Sequence, residues 1–444
     1  MVYKKLEAYF INNPIFKQSA LGIIFNVFSV FFSIVTISLL LEYLGKNDYG
    51  IWLTIFSICN WINFLDGGLG NGLRNELTKS LVKKDVYGAT SIISTGYISI
   101  SFFLISLFIL LCGVNALIDW NSIVSSDKIN FNLLAIFVFG FFLLQMILKL
   151  ISKIYFSFDR SSFSFFIPLA TNFIILIAIY LISYFDLPNK IWNVALIYSF
   201  LPLVVLSLLT FHFFYIIKPT YKPNYTYYNK KYVTLILKNG ILFFLIQMSS
   251  GILQAITPFF ITLWFSPLST ADYQISIKYY SFLLILLNIV LQTMWTTITA
   301  SYIQKDFLKL KGLIKKKVIL ALGLLVTLLI MYFSSEFIYR IWLGDNVVIS
   351  EIINTASVLF VATVIVSKIF TNFLNATNNI KIQSNLSITI IILYFPVVYF
   401  LVKVLHLGIT ALIMAPAIFF LIQMCVAIYE LKRIMYKKTT NEIH

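Results

Sequence analysis

Few residues of this 444-residue chain could do chemistry, and most are cations or uncharged polar groups set in apolar sequence. One carboxylate, Asp66, falls inside an apolar segment, where it is by default a candidate ion-coupling site for a proton or sodium. Asp66, Gly70 and Arg74 recur at every fourth position, which sets them on one helical face. Lys153 and Lys368 stand near the ends of two other apolar segments, and Lys278 lies about two turns inside a third. A lysine near a helix end can snorkel to the interface, which is one reading of Lys153; the other counts Lys153 with Arg74, Lys278 and Lys368 among the substrate-binding cations. Deeper in, an unpaired ammonium costs roughly 2.5 to 3.5 kcal/mol, so Lys278 and Lys368 are expected to face a polar cavity. Cations there suit an anionic, above all a phosphate-bearing, ligand, and Arg74 is expected to meet it first at the inner mouth.

Uncharged polar residues form a second constellation. Asn26, Ser29, Ser33 and Thr36 follow one another at steps of three and four, and Gln247, Ser250, Gln254 and Thr257 repeat them 221 positions later. Each set shares one helical face. Such faces either glue helices together or line a polar cavity; two symmetric stripes with two glutamines suit a wet, sugar-binding cavity, which is the expectation, with Asn26, Gln247 and Gln254 as contacts. Covalent and metal chemistry find no support. Cys59, Cys112 and Cys425 sit in apolar segments without paired spacing, and His212, His406 and His444 are scattered, so no cofactor, metal or catalytic residue is expected. The run DGGLGNGLRNEL, residues 66–77, lacks phosphate-loop spacing and a preceding strand. Its glycines either pack helices closely or let the helix bend.

The elements that hold these residues follow from composition. Sixty per cent of the chain is hydrophobic and only 11% charged, too little polar surface for a soluble protein. Apolar windows fall near 18–41, 49–69, 89–112, 131–151, 163–185, 191–216, 239–265, 274–300, 318–341, 352–374, 384–405 and 408–429, and predict an all-α polytopic protein of twelve membrane helices. Pro258 is expected to kink the seventh. Alternate flanks, starting with the N-terminus, carry 27 of the 33 basic residues against five on the opposite flanks. That asymmetry puts both termini in the cytoplasm. The net charge of +16 is therefore an orientation signal facing anionic membrane lipids rather than a mark of nucleic-acid binding.

Internal likeness near half the chain length argues for two copies of a six-helix unit. Lys17 and Lys238, and Lys84-Asp85 and Lys305-Asp306, match at an offset of 221; Ser152-Lys153-Ile154 matches Ser367-Lys368-Ile369 at 215. Six is even, so both copies cross the membrane in the same sense, as parallel repeats with a substrate site between them. The expected domains are an N-terminal lobe (1–216), a cytoplasmic linker (217–238) and a C-terminal lobe (239–444).

Residues 41–85, LEYLGKNDYGIWLTIFSICNWINFLDGGLGNGLRNELTKSLVKKD, resemble the signature of the first two spans of O-antigen (Wzx-type) polysaccharide flippases, in the multidrug/oligosaccharidyl-lipid/polysaccharide exporter superfamily. NFLNATNNIKIQSNL, residues 372–386, is similar to that family's junction of spans 10 and 11. The resemblance implies a V-shaped exporter fold of two six-helix lobes with a cationic central cavity, in the bacterial inner membrane. It implies an ion-coupled flippase, not an enzyme, moving undecaprenyl-pyrophosphate-linked oligosaccharide to the outer leaflet by alternating access, with a polysaccharide polymerase and chain-length proteins as partners. Within the signature it carries over Asp66 and Arg74 alone. Two alternatives stay open: a membrane O-antigen polymerase or ligase, and a small-molecule multidrug exporter on the same fold.

Overall fold

A membrane-spanning backbone must satisfy its own hydrogen bonds, and this chain does so almost entirely as helix. The structure, a computed structural model, describes residues 14–117, 131–343 and 349–440; the Asp66 and Cys59 side chains lie outside the described set. The helices are α1 (Pro14–Val82), α2 (Val86–Leu117), α3 (Phe131–Ser157), α4 (Ser161–Tyr184), α5 (Lys190–Phe211), α6 (Lys230–Ala255), α7 (Thr257–Trp264), α8 (Pro267–Ile303), α9 (Phe307–Phe333), α10 (Ser335–Leu343), α11 (Glu351–Thr377), α12 (Lys381–Tyr399) and α13 (Gly408–Thr440). Ten helices of the described residues are long and apolar enough to cross a membrane, eleven if a bent pair counts as one span. The remaining expected span is the second arm of α1, set off from the first at Gly45, whose φ of 74° and ψ of 166° are non-helical. The protein is thus an all-α, multi-pass membrane protein.

The seventh and ninth expected spans are each broken in two. The seventh stops at Ala255 and resumes at Thr257-Pro258 as α7, where proline has no N–H for the preceding turn. The ninth bends by 62° between α9 and α10. Ser334 and Ser335 cause that break locally: their hydroxyls donate to the Ile330 and Tyr332 carbonyls and end the helix. A buried cluster then fixes it. Asn354 Oδ1 on α11 accepts from Tyr280 and Tyr339 at 2.9 Å each, and its Nδ2 donates to Ser335 Oγ at 3.0 Å. Asn354→Leu removes the acceptor that two buried phenols share and is expected to lower stability by about 2 kcal/mol. Thermal unfolding in detergent checks this, and an unchanged midpoint would show that the cluster does not hold the bend.

The chain divides into two compact units, Met1–Gly240 and Ile241–His444. The expected linker, 217–238, belongs to the first. Its backbone docks on α2, Asn224 N donating to Ser94 Oγ at 3.1 Å and Asn229 N to Thr95 Oγ1 at 3.0 Å, and Ile236 enters the first unit's core.

Repetition is visible in the turns. Lys84 and Lys305 both take positive φ, 56° and 61°. Asp85 N donates to Ser80 O at 3.0 Å and Asp306 N to Ser301 O at 2.9 Å. Each aspartate then caps the next helix, accepting from Gly88 N at 2.8 Å and Lys309 N at 2.9 Å. A second turn also recurs: Asp159 and Asn378 have φ of 56° and 58°, and the residue after each closes the helix on Tyr155 O and Leu374 O. Two copies of one six-helix plan explain these pairs.

Candidate functional site

The first unit encloses a cavity of about 360 Å³ among α3, α4, α5 and the second arm of α1. Helix α3 supplies Phe142, Gln145, Lys149, Ser152 and Lys153; positions 142, 145, 149 and 153 follow at steps of three and four, which aims them one way. Thr171 and Asn172 come from α4, Tyr198 from α5 and Phe56 from α1. Pro168 and Pro202 also line it. Each removes the N–H that would have bonded to the carbonyl four residues earlier, Ser164 and Tyr198, both in the cavity wall. None of the described lining residues is acidic, so the wall combines two ammonium groups with neutral donors and acceptors.

Hydrogen bonds behind the wall fix it. Gln145 Nε2 donates to Ser199 O at 2.7 Å, Asn172 Nδ2 to Ser29 Oγ at 2.9 Å, and Ser164 Oγ to Ser152 O at 2.7 Å. Thr171 Oγ1 is buried with no hydrogen-bond partner. Gly70 makes room for Lys153: a Cβ there would lie 2.9 Å from Lys153 Cγ and 3.0 Å from Cε. Gly72 likewise admits backbone, since its Cβ would lie 2.9 Å from Ile236 O. These two glycines thus serve close packing, one of the two roles expected of the run.

Of the residues expected at the site whose side chains are described, the structure brings Lys153 to this cavity and places the others elsewhere. Lys149, counted from sequence only as a flanking charge, joins it; the i, i+4 spacing to Lys153 was the signal. Arg74 is not at a mouth. It is 0% exposed, with its guanidinium 4.5 Å from the centre of the Phe156 ring and within electrostatic reach of Asp159. Lys278 is exposed, and Lys368 is half-buried, donating to Asn288 Oδ1 at 3.4 Å. The Asp66 side chain falls outside the described residues, one helical turn before Gly70. A lysine that sequence placed in a flank, Lys317, is 1% exposed and donates to Asn372 Oδ1 at 2.6 Å.

The polar stripes need correction. Ser29 is buried against Asn172 of α4, and Thr36 is buried with its hydroxyl on Phe32 O. Asn26 spends its amide on Gly22 O of its own helix. In the second unit Thr257 is buried 3.2 Å from the Tyr394 hydroxyl of α12, Gln247 is half-buried, and Gln254 is exposed with its amide on Ser250 O. Ser29 and Thr257 therefore join the first and fifth spans of their units, while Asn26, Thr36 and Gln254 bond within their own helix. The helix that faces each stripe decided the matter, and it lies more than a hundred residues away.

A multi-pass chain built from two six-helix copies, one holding a polar cavity, defines an exporter-type fold. The sequence matches no protein-family model, and no curated protein is significantly similar to it. Solved structures share the fold, that of MATE-family transporters of the MOP superfamily. An outward-facing multidrug resistance MATE family transporter of that superfamily superposes with a TM-score of 0.78 at 14% identity, covering 96% of each chain. A mutant of the Vibrio cholerae MATE transporter VcmN gives 0.74 at 14% identity over 97% of each chain. A MOP superfamily transporter from Pyrococcus furiosus, for which a reverse polarity of the binding pocket suggests a different function, gives 0.74 at 14% identity over 95% of each chain. At such identity the likeness carries the fold.

Proposed function

We propose that this chain is a transporter of an anionic, sugar-bearing lipid, moving undecaprenyl-pyrophosphate-linked oligosaccharide from the cytoplasmic to the outer leaflet of the bacterial inner membrane by alternating access. Both termini are then cytoplasmic, and the protein makes and breaks no covalent bond of its cargo. The observation that carries this reading is the lysine pair, Lys149 and Lys153, one helical turn apart in the wall of a polar cavity. Two ammonium groups one turn apart match a pyrophosphate, while Gln145, Asn172, Thr171 and the proline-freed carbonyls offer partners for sugar hydroxyls. A cavity of about 360 Å³ suits the pyrophosphate and the adjoining sugar rather than a whole oligosaccharide. An unaided crossing would strand those charges in hydrocarbon at several kcal/mol or more each. Asp66 stays the candidate for ion coupling.

A second reading, a multidrug exporter, is favoured by the aromatic part of the same wall, Phe56, Phe142 and Tyr198, and by the fold shared with a multidrug resistance transporter. One experiment separates the two. Cells lacking the chain are expected to accumulate lipid-linked oligosaccharide on the cytoplasmic face, without change in sensitivity to cationic drugs. Oligosaccharide reaching the outer leaflet normally, with drug sensitivity raised, would favour the exporter of drugs; single units reaching that leaflet unpolymerised would indicate a polymerase.

A further inference from the structure

Helix α3 carries a second recess, on its other side. Between α2 and α3 lies an apolar cavity of about 350 Å³, walled by Leu104, Ile105 and Phe108 of α2 and by α3 positions such as Phe137, Leu144 and Ile147. Every one of its described lining residues is apolar. It opens outward: Ile105, Phe137 and Leu144 are 55%, 44% and 49% exposed. Gly140 forms its floor, where a Cβ would lie 3.3 Å from the Phe108 ring. Lipid-facing helices usually fill such gaps with side chains, because an empty recess forfeits dispersion contacts. Here a recess is left at mid-length of both helices, at the depth of hydrocarbon in a spanning protein.

Its position on α3 indicates what fills it. The groove positions of α3 (137, 140, 144, 147) and the cavity positions (142, 145, 149, 153) each repeat every three or four residues and, at 3.6 residues per turn, fall on nearly opposite faces. One helix, about 10 to 12 Å across, separates two ammonium groups from a wholly apolar slot. A ligand with an anionic head and a long hydrocarbon chain matches both.

Resting on the function proposed above, we infer that the α2–α3 groove is the docking site for the isoprenoid chain of the transported lipid, held there while its pyrophosphate lies against Lys149 and Lys153. The recess then selects by chain as well as by head group, and a pyrophosphate without a chain binds the cavity more weakly than one with it.

The test uses the full chain in lipid nanodiscs with a polyprenyl pyrophosphate that carries a photoreactive benzophenone on its chain. Crosslinks, mapped by mass spectrometry, are expected on residues 104–108 and 136–147, with competition by unlabelled polyprenyl pyrophosphate. Gly140→Leu fills the slot from its floor and Leu144→Trp from its exposed wall; either is expected to reduce labelling about tenfold. Binding of inorganic pyrophosphate, which needs only the lysine cavity, is expected to be unchanged in both variants. If a benzophenone-bearing phosphatidylglycerol labels the same segments equally and polyprenyl pyrophosphate does not compete, ordinary bilayer lipid fills the groove and the inference fails. Labelling elsewhere, with pyrophosphate binding intact, also overturns the groove but leaves the anion site standing. Loss of all binding, of inorganic pyrophosphate and the polyprenyl probe alike, overturns both.

Discussion

Replacing Lys149 and Lys153 together by methionine is expected to reduce transport of the pyrophosphate-linked lipid by a hundredfold or more, while the protein inserts and folds as before. Charge-assisted hydrogen bonds contribute about 1.5 to 3 kcal/mol each, so losing two costs on the order of a hundredfold in affinity even without full additivity. Methionine keeps most of the apolar stem of lysine, so the packing at Gly70 survives and the loss reports on charge. The two positions are not equivalent. Lys153 threads past the bare backbone of Gly70, where its Cγ and Cε already lie at contact distance from a hypothetical Cβ. Lys153→Arg, with its rigid planar end, is therefore expected to be tolerated less well than Lys149→Arg. The measurement is flipping of a labelled pyrophosphate lipid in proteoliposomes beside a thermal unfolding control. Normal flipping by the double methionine variant would remove the central support for an anionic cargo.

Arg74→Ala is expected to act on stability rather than on cargo. The side chain is fully buried, lies over Phe156 and feels the field of Asp159, and Ser157 Oγ donates to its backbone carbonyl at 3.3 Å. Truncation leaves a void of a large side chain in a seam where α1 meets the end of α3. Losses of about 3 kcal/mol follow in such cases, with a further contribution from the cation–π contact. A lower unfolding temperature and poorer yield are the expected readouts, with pyrophosphate affinity unchanged in the folded fraction. A variant that unfolds like the parent but binds pyrophosphate weakly would instead return Arg74 to the role that its place in the glycine-rich segment suggests.

These two expectations rest on opposite fates of cations that look alike in the sequence. Lys149, Lys153 and Arg74 all stand at the ends of apolar segments on lysine-rich flanks. Flank charge is set by the direction in which each helix enters the membrane, and that regularity masks the few cations that turn inward. Lys317 shows the same limit. It ends a row of three lysines, yet it alone of that row is buried, on the helix face that meets α11.

The sequence by itself determined the class of the protein. Hydrocarbon forbids unpaired backbone, so long apolar segments had to become helices. The repeat was equally legible, because a turn needs the same aspartate cap at the same spacing wherever it occurs, as at Asp85 and Asp306. Helical periodicity also set which residues share a face, and the stripe from Asn26 to Thr36 was such a face. Only the tertiary structure decided what each face meets. Ser29 meets Asn172, so that part of the stripe is a seam, while Gln145, Lys149 and Lys153 line a cavity. The physical reason is one of range: helix formation and membrane insertion depend on neighbours within a few turns, whereas a cavity exists only where side chains from helices remote in the chain fail to fill the space between them.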